Sequence, residues 1–296
     1  MNANTGAFSG TVYYHYRVNP DESITNSFEY SRIYFGYKRQ VSDRLRYTFK
    51  TDIDPSVSPR TLYIKLAQMD WDTPLGQVVI GLQGMNLFPI QEKTWGYRAV
   101  EKSAMDRFQF SSSADLGLGF YPALGLSRLH TSILITNGSG YKKPEGDAYK
   151  KLSVQAFWGE PRLDKGAGWN AGIVASTERQ DVGVDTTDQV SVLGVFSGWS
   201  SGKLRLGADL NARTHSQTWL ETESLVSLYG TLGLSNLRLL GRVDLHRQGS
   251  ASSRYETLGV VFTPEKGLDI IPVVRREVPA KGDALTTGGV TFQFKI

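Results

Sequence analysis

Hydrophobic and polar residues alternate with a period of two along most of the chain. From Arg44 to Ile53, Leu45, Tyr47, Phe49, Thr51 and Ile53 share one parity, and Arg44, Arg46, Thr48, Lys50 and Asp52 share the other. In an extended strand the two sets face opposite sides. The pattern recurs with Leu204, Leu206, Ala208, Leu210 and Ala212 against Lys203, Arg205, Asp209, Asn211 and Arg213. It recurs again with Leu237, Leu239, Val243 and Leu245 against Arg238, Arg242, Asp244 and His246. The chain ends on Val290, Phe292, Phe294 and Ile296 against Thr291, Gln293 and Lys295. Two stretches, 188–198 and 254–262, read ambiguously, and there a one-residue slip would exchange the faces.

Turn signals punctuate the strands in two classes. Tight ones fall at 41–44, 73–76, 121–125, 200–203, 234–236 and 264–267, with a somewhat longer one at 160–168. Between them lie longer, more polar connections at 19–23, 54–59, 86–106, 137–147, 179–188, 248–253 and 278–284, and a short one near Ser216. This alternation predicts an antiparallel up-and-down meander of about sixteen strands, tight turns at one end and most long loops at the other. A single domain covers 1–296. Only 86–106 has a helical look, and it carries Pro89 and Gly96.

A soluble sandwich also alternates, but soluble all-β folds tend to use Greek keys. The aromatic residues separate the two readings. Trp71, Trp158, Trp169, Trp199, Phe120 and Tyr121 fall at strand ends beside the tight turns, and Tyr14, Tyr16, Trp219 and Tyr255 fall nearer the other end. Two girdles of amphipathic rings with aliphatic residues between them predict a lipid-facing wall. Most segments have the roughly 9–11 residues that a tilted strand needs to cross a bilayer. The expected fold class is therefore all-β, a transmembrane β-barrel.

Composition narrows the chemistry. Hydrophobic residues make up 40% of the 296 and charged residues 21%, and no apolar run approaches the ~20 residues of a transmembrane helix. There is no cysteine, which excludes disulfides, thiol nucleophiles and thiolate metal sites. The formal charge is +4. The basic residues are spread along the strands and not clustered with stacking aromatics, so nucleic acid is not an expected partner. The start, Met1 to Thr5, is polar, as expected for a chain that is not exported or for a mature form lacking its export segment.

Three features carry a resemblance to a known family. The longest of the long-side loops is the third, 86–106. The first four strands carry a basic row, Arg17, Arg32, Arg44, Arg46 and Lys65, and the last strand alternates Phe292 and Phe294 toward lipid. The chain thereby resembles Gram-negative outer-membrane porins of the sixteen-stranded type. The stretch 98–119, with Asp106-Arg107-Phe108 and Asp115-Leu116-Gly117, is faintly similar to phosphate- and polyphosphate-selective porins. The resemblance implies a multi-pass outer-membrane protein in contact with the bilayer and lipopolysaccharide. It also implies a third loop folded into the lumen as a constriction, and a homotrimer. Two departures stand out. The last residue is Ile296 where the family usually has phenylalanine, and the third loop mixes Lys93, Arg98 and Lys102 with Glu92, Glu101 and Asp106.

With the apolar parity toward lipid, Arg17, Arg32, Arg44, Arg46, Lys65, Arg128, Arg205, Arg213, Arg238 and Arg242 become the expected basic pore lining. Basic residues on that parity outnumber acidic ones, and a water-filled basic bore concentrates anions. The expected function is passive diffusion of small hydrophilic solutes, anionic or neutral, with no reaction, cofactor or metal. Arg17, Arg44, Arg46 and Lys65 are expected to face Glu92, Glu101 and Asp106. The alternatives are a sheathing barrel that docks a partner protein without an open pore, and a soluble all-β binding module. One possible catalytic pair, His130 and Ser132, shares a strand face, but that face should meet the lumen. Glu221 and Glu223 share a face near a strand end, where charge pairing is the expected role.

Overall fold

The computed structural model describes residues 6–19, 26–54 and 60–296. The polar start, 20–23 of the first long connection and 55–59 of the second lie outside the described residues. Sixteen strands follow one another: β1 (Gly6–Val18), β2 (Asn26–Ser42), β3 (Leu45–Asp54), β4 (Thr61–Thr73), β5 (Gly76–Gly84), β6 (Ala114–Pro122), β7 (Leu129–Thr136) and β8 (Lys151–Gly159). They continue with β9 (Gly168–Gly183), β10 (Thr186–Ser200), β11 (Leu204–His215), β12 (Glu223–Leu234), β13 (Leu237–Gln248), β14 (Ala251–Glu265), β15 (Leu268–Val278) and β16 (Leu285–Lys295). Each pairs antiparallel with its neighbours in sequence, and β1 pairs with β16 to close the barrel. The Gly10 amide donates to Ile296 O at 3.2 Å and the Ile296 amide to Gly10 O at 3.0 Å. Closure leaves no unpaired edge, the condition for a sheet to sit in hydrocarbon.

The alternation resolves into two surfaces. Leu118, Ile135, Ile173, Leu193, Leu210 and Leu228 are exposed outward. Asp52, Ser132, Gln155, Asn170, Asp209 and Asp244 are buried inward. An apolar band crossed by strands of this length is a membrane-spanning wall. At its tight-turn rim Trp71, Trp158, Trp169 and Trp199 are 41–49% exposed, as the girdle requires. Phe294 packs edge-to-face on Tyr14 across the closing seam, centroids 5.8 Å apart. Two expected girdle residues face inward instead. Tyr121 lies on the parity of Gly119 and Asp115, its ring against the Gly119 position. Tyr255 is 3% exposed and bonds to a loop inside the barrel.

The tight turns fall where the sequence places them. On the opposite side two connections are shorter than expected, because the strands run on past the band. β9 and β10 meet across Val184-Asp185, with Asp185 at φ 55, and β13 and β14 meet across Gly249-Ser250.

Candidate functional site

The connection between β5 and β6, residues 85–113, turns into the barrel. It is longer than the 86–106 read from sequence, and it carries α1 (Pro89–Trp95) and α2 (Ala104–Arg107). Pro89 suits the first turn of α1, where its missing N–H costs no hydrogen bond. Gly96 ends the helix in the left-handed conformation, its amide donating to Glu92 O at 2.8 Å. The positive φ of 79° is what favours glycine there, and a Cβ would also crowd Arg205 Nη2 at 2.6 Å, so that the guanidinium would have to shift.

The loop lies on one wall. Leu87, Phe88, Ile90, Met105 and Phe110 pack against Phe157, Val174, Val192, Phe196 and Leu225, inward residues of β8, β9, β10 and β12. Trp95 and Val100 pack with Tyr229, Leu240, Val261, Ile271 and Val273 of β12 to β15. These strands carry apolar side chains on both faces, which is why 188–198 and 254–262 lack a clean alternation.

Arginines of that wall then grip the loop backbone. Arg205 donates to Trp95 O at 2.9 Å, Arg213 to Gln109 O at 2.8 Å, Arg275 to Val100 O at 2.8 Å, and Arg242 to Lys102 O. Three of the ten expected pore-lining cations, Arg205, Arg213 and Arg242, thus lie beneath the loop and not on an open bore. Parity gives the face of a strand but not what covers it. Arg44 and Arg128 are also displaced: both are exposed in tight turns, before β3 and β7. Arg238 bonds to Thr231 and to the carbonyls of Gly202 and Lys203, near the same rim.

On the other wall Arg32, Lys50, Lys65 and Asp52 gather around Tyr34. Arg32 lies 3.3 Å and Lys65 3.6 Å from Asp52 Oδ2, and Lys50 Nζ stands 4.1 Å above the Tyr34 ring. Tyr141, from the connection between β7 and β8, reaches in and donates to Asp52 at 2.7 Å. No sequence signal pointed to Tyr141, because nothing local says that its loop folds inward. The loop tip closes on this wall, with Ala99 packed against Tyr13 and Tyr34. Arg98 binds both Glu92 and Asp106, the latter at 2.8 Å. The other two cations expected to face the loop have different partners. Arg17 pairs with Glu29 at 3.4 Å, toward the long-loop end, and Arg46 with Asp70 at 2.9 Å, toward the tight turns. Glu101 does not face the basic row. It accepts from Tyr255 Oη at 2.6 Å and pairs with Arg107 at 3.1 Å, while Arg107 also reaches Glu277 at 3.0 Å. Lys102 acts on Asp106 through space, and Lys93 sits at the α1 C-terminus. On the long-loop side of the tip lies a cavity of about 1430 Å³, whose lining includes Arg17, Arg32, Arg98, Lys102 and Arg275.

His130 and Ser132 do face inward. His130 stacks on Phe157 at 4.5 Å and Ser132 Oγ accepts from Asn86 at 3.0 Å, so both pack and orient the loop base. Glu223 binds Arg213 and, at 2.8 Å, His246, whose ring stacks on Phe108 of the loop at 4.5 Å; the exposed Glu221 stands apart by Gly249.

Burial acts to raise the carboxyl pKa of Asp106 and Glu101, and the neighbouring cations override it. Arg98 and Lys102 hold Asp106 below its usual value, and Arg107, Arg242 and the Tyr255 hydroxyl do the same for Glu101. A carboxylate with a depressed folded pKa contributes stability above its unfolded value and loses it as pH falls through the folded one. Loop docking is therefore expected to hold from about pH 8 to pH 5, with open-channel current noise rising only below about pH 4. Noise spectra across that range check this. A rise already at neutral pH would contradict it.

The closed barrel of sixteen antiparallel strands with an inward third long-side loop has the fold of outer-membrane porins. No protein-family model and no curated protein matches the sequence. Solved structures do match it. An anion-selective porin from Comamonas acidovorans has a TM-score of 0.74 at 11% identity, over 99% of this chain and 100% of that one. OmpT of Vibrio cholerae, in trimer form, has 0.71 at 13%, over 100% of both chains. OmpF of Salmonella typhi, in complex with daunomycin, has 0.69 at 12%, over 99% and 98%. At these identities the likeness is one of fold, and it gives no support to the phosphate-selective similarity.

Proposed function

We propose that the barrel is a passive diffusion channel of the outer membrane for small hydrophilic solutes, with a preference for anions. The observation that carries the preference is the position of Arg98. Both loop carboxylates at the constriction, Glu92 and Asp106, are bound by a cation of their own loop. On the facing wall Arg32 and Lys65 pair with Asp52, and Lys50 stands over the Tyr34 ring beside them. Among the described residues Arg32, Lys50, Lys65 and Arg98 stand there with Asp52, Glu92 and Asp106, and Lys102 adds its charge near Asp106, in a confined space where water screens them poorly. The basic lining of the cavity above extends the same field. The anion-selective porin of the same fold supports the reading, and the trimeric OmpT supports a homotrimer.

Single-channel current in a planar bilayer under a KCl gradient tests the proposal. Stable steps with a reversal potential on the chloride side are the expected result. Steps on the potassium side would overturn the preference, and no steps from folded protein would overturn the channel. Position within the barrel also sets an order among variants. Neutralising Lys65 with Arg32 is expected to lower the chloride-to-potassium permeability ratio severalfold, whereas neutralising Arg44, exposed in its turn, is expected to leave it within error. Equal effects would remove the constriction from this wall.

A further inference from the structure

A second connection turns into the barrel beside the third loop. It joins β7 to β8, residues 137–150, and is the fourth on the long-loop side. Its base is tied to β6. The Asn137 amide donates to Leu116 O at 3.0 Å, the Gly138 amide to Asp115 Oδ2 at 2.6 Å and the Tyr141 amide to Ala114 O at 3.1 Å. Gly140, at φ 76, lies against Ser112 in the arm that leads the third loop into β6, where a Cβ would stand 2.9 Å from that side chain. The two inward connections therefore share a root.

From that root Tyr141 reaches β3. Its hydroxyl donates to Asp52 at 2.7 Å, its ring meets Tyr63 of β4 edge-on with centroids 6.2 Å apart, and Lys65 Nζ lies 5.1 Å from its centroid. β3 and β6 are three strand spacings apart, about 14 Å, so 138–141 lie over the inner faces of β4 and β5. Beneath them Asp52 is fully buried and Lys65 is 8% exposed. Lys142, next to Tyr141, lines the cavity above the constriction together with Arg32 and Arg98. Lys65, under the Tyr141 ring, acts through space on Asp106 of the third loop. The segment thus borders the same passage as the third loop, from the side of β3 to β6.

We propose that 137–142 form a second jaw of the constriction and that Tyr141 sets the bulk of the anion that passes. A ring pinned by a hydrogen bond, an edge contact and an ammonium group is a fixed wall, and the width between fixed walls decides which solutes of equal charge are admitted. The basic residues around it supply the field, and Tyr141 supplies the limit on size.

The proposal rests on the channel reading, and bi-ionic reversal potentials of the full-length barrel test the two separately. Chloride, acetate and gluconate carry the same charge and differ in bulk, so their permeability ratios report size. Tyr141→Ala should raise the gluconate-to-chloride ratio severalfold and enlarge the step conductance, with chloride still preferred to potassium. Tyr141→Trp should lower the ratio. Tyr141→Phe keeps the ring against Tyr63 and loses the bond to Asp52, and should keep most of the cut-off. Heat-modifiable gel migration reports folding. A ring that merely braces the wall would change the temperature at which the compact band is lost and leave the ratios alone. Should Tyr141→Ala misfold, Lys142→Cys at the exposed neighbouring position supplies a single thiol in a chain without cysteine. A bulky neutral thiol reagent should then reduce gluconate current more than chloride current. Ratios unmoved by the variants and by labelling, in channels that still prefer chloride, would overturn the jaw and leave the channel. Folded protein without steps in any variant would overturn the channel reading and the jaw with it.

Discussion

Replacing Arg98 by glutamine is expected to abolish the chloride preference and move the reversal potential toward potassium. Arg98 bridges Glu92 and Asp106 at the loop tip and is 14% exposed. Its removal takes one cation from the constriction, and Glu92 and Asp106 both lose their ion-pair partner within the loop, Asp106 keeping only the more distant charge of Lys102. Leaving buried charge unpaired costs about 3–5 kcal/mol. The loop therefore either takes up counter-cations, which is cation selectivity, or shifts from its wall, which enlarges the bore. Selectivity and step conductance measured together distinguish these responses. An Arg98→Gln channel with unchanged reversal potential and unchanged conductance would show that the loop tip does not govern the field.

Replacing Arg242 by methionine is expected to be the most destabilising single change in the loop anchor. The Arg242–Asp244 pair is 1% and 0% exposed at 2.7 Å, and Ser227 donates to the same carboxylate at 2.6 Å. Arg242 also holds Lys102 O, so it joins β13 to the loop. Removing one partner of such a pair costs about 3–5 kcal/mol, because the remaining charge has no water to return to. The measurable outcome is a lower temperature for loss of the compact gel band, together with flickering current as the loop loses its hold. Arg213→Met, whose partner Glu223 keeps His246, should lose less. Equal losses would mean that the arginines act separately and not through the loop.

The barrel was legible because the sheet has one period and lipid imposes one polarity on its outer face. Leu45 to Ile53, the tryptophans beside the tight turns, and Phe292 with Phe294 all take the sides that the alternation assigns. Reading failed where the inner face is not polar. Val190, Val192 and Phe196, and Val261 and Val273, are apolar inward because the third loop covers them, and Tyr255 follows the same rule. For the same reason Arg205, Arg213 and Arg242 are loop anchors, although their strands alternate cleanly. Arg32 and Lys65 sit on the wall the basic row indicated, but their setting depends on Tyr34, Asp52 and the incoming Tyr141.

The sequence by itself determined a lipid-facing β-barrel of about sixteen strands with a long third loop, because period, turn chemistry and aromatic placement are local properties of the chain. The tertiary structure alone decided which basic residues border the constriction and which are covered, because that depends on where a loop of some thirty residues comes to rest, a choice made by packing and charge contacts between residues far apart in sequence.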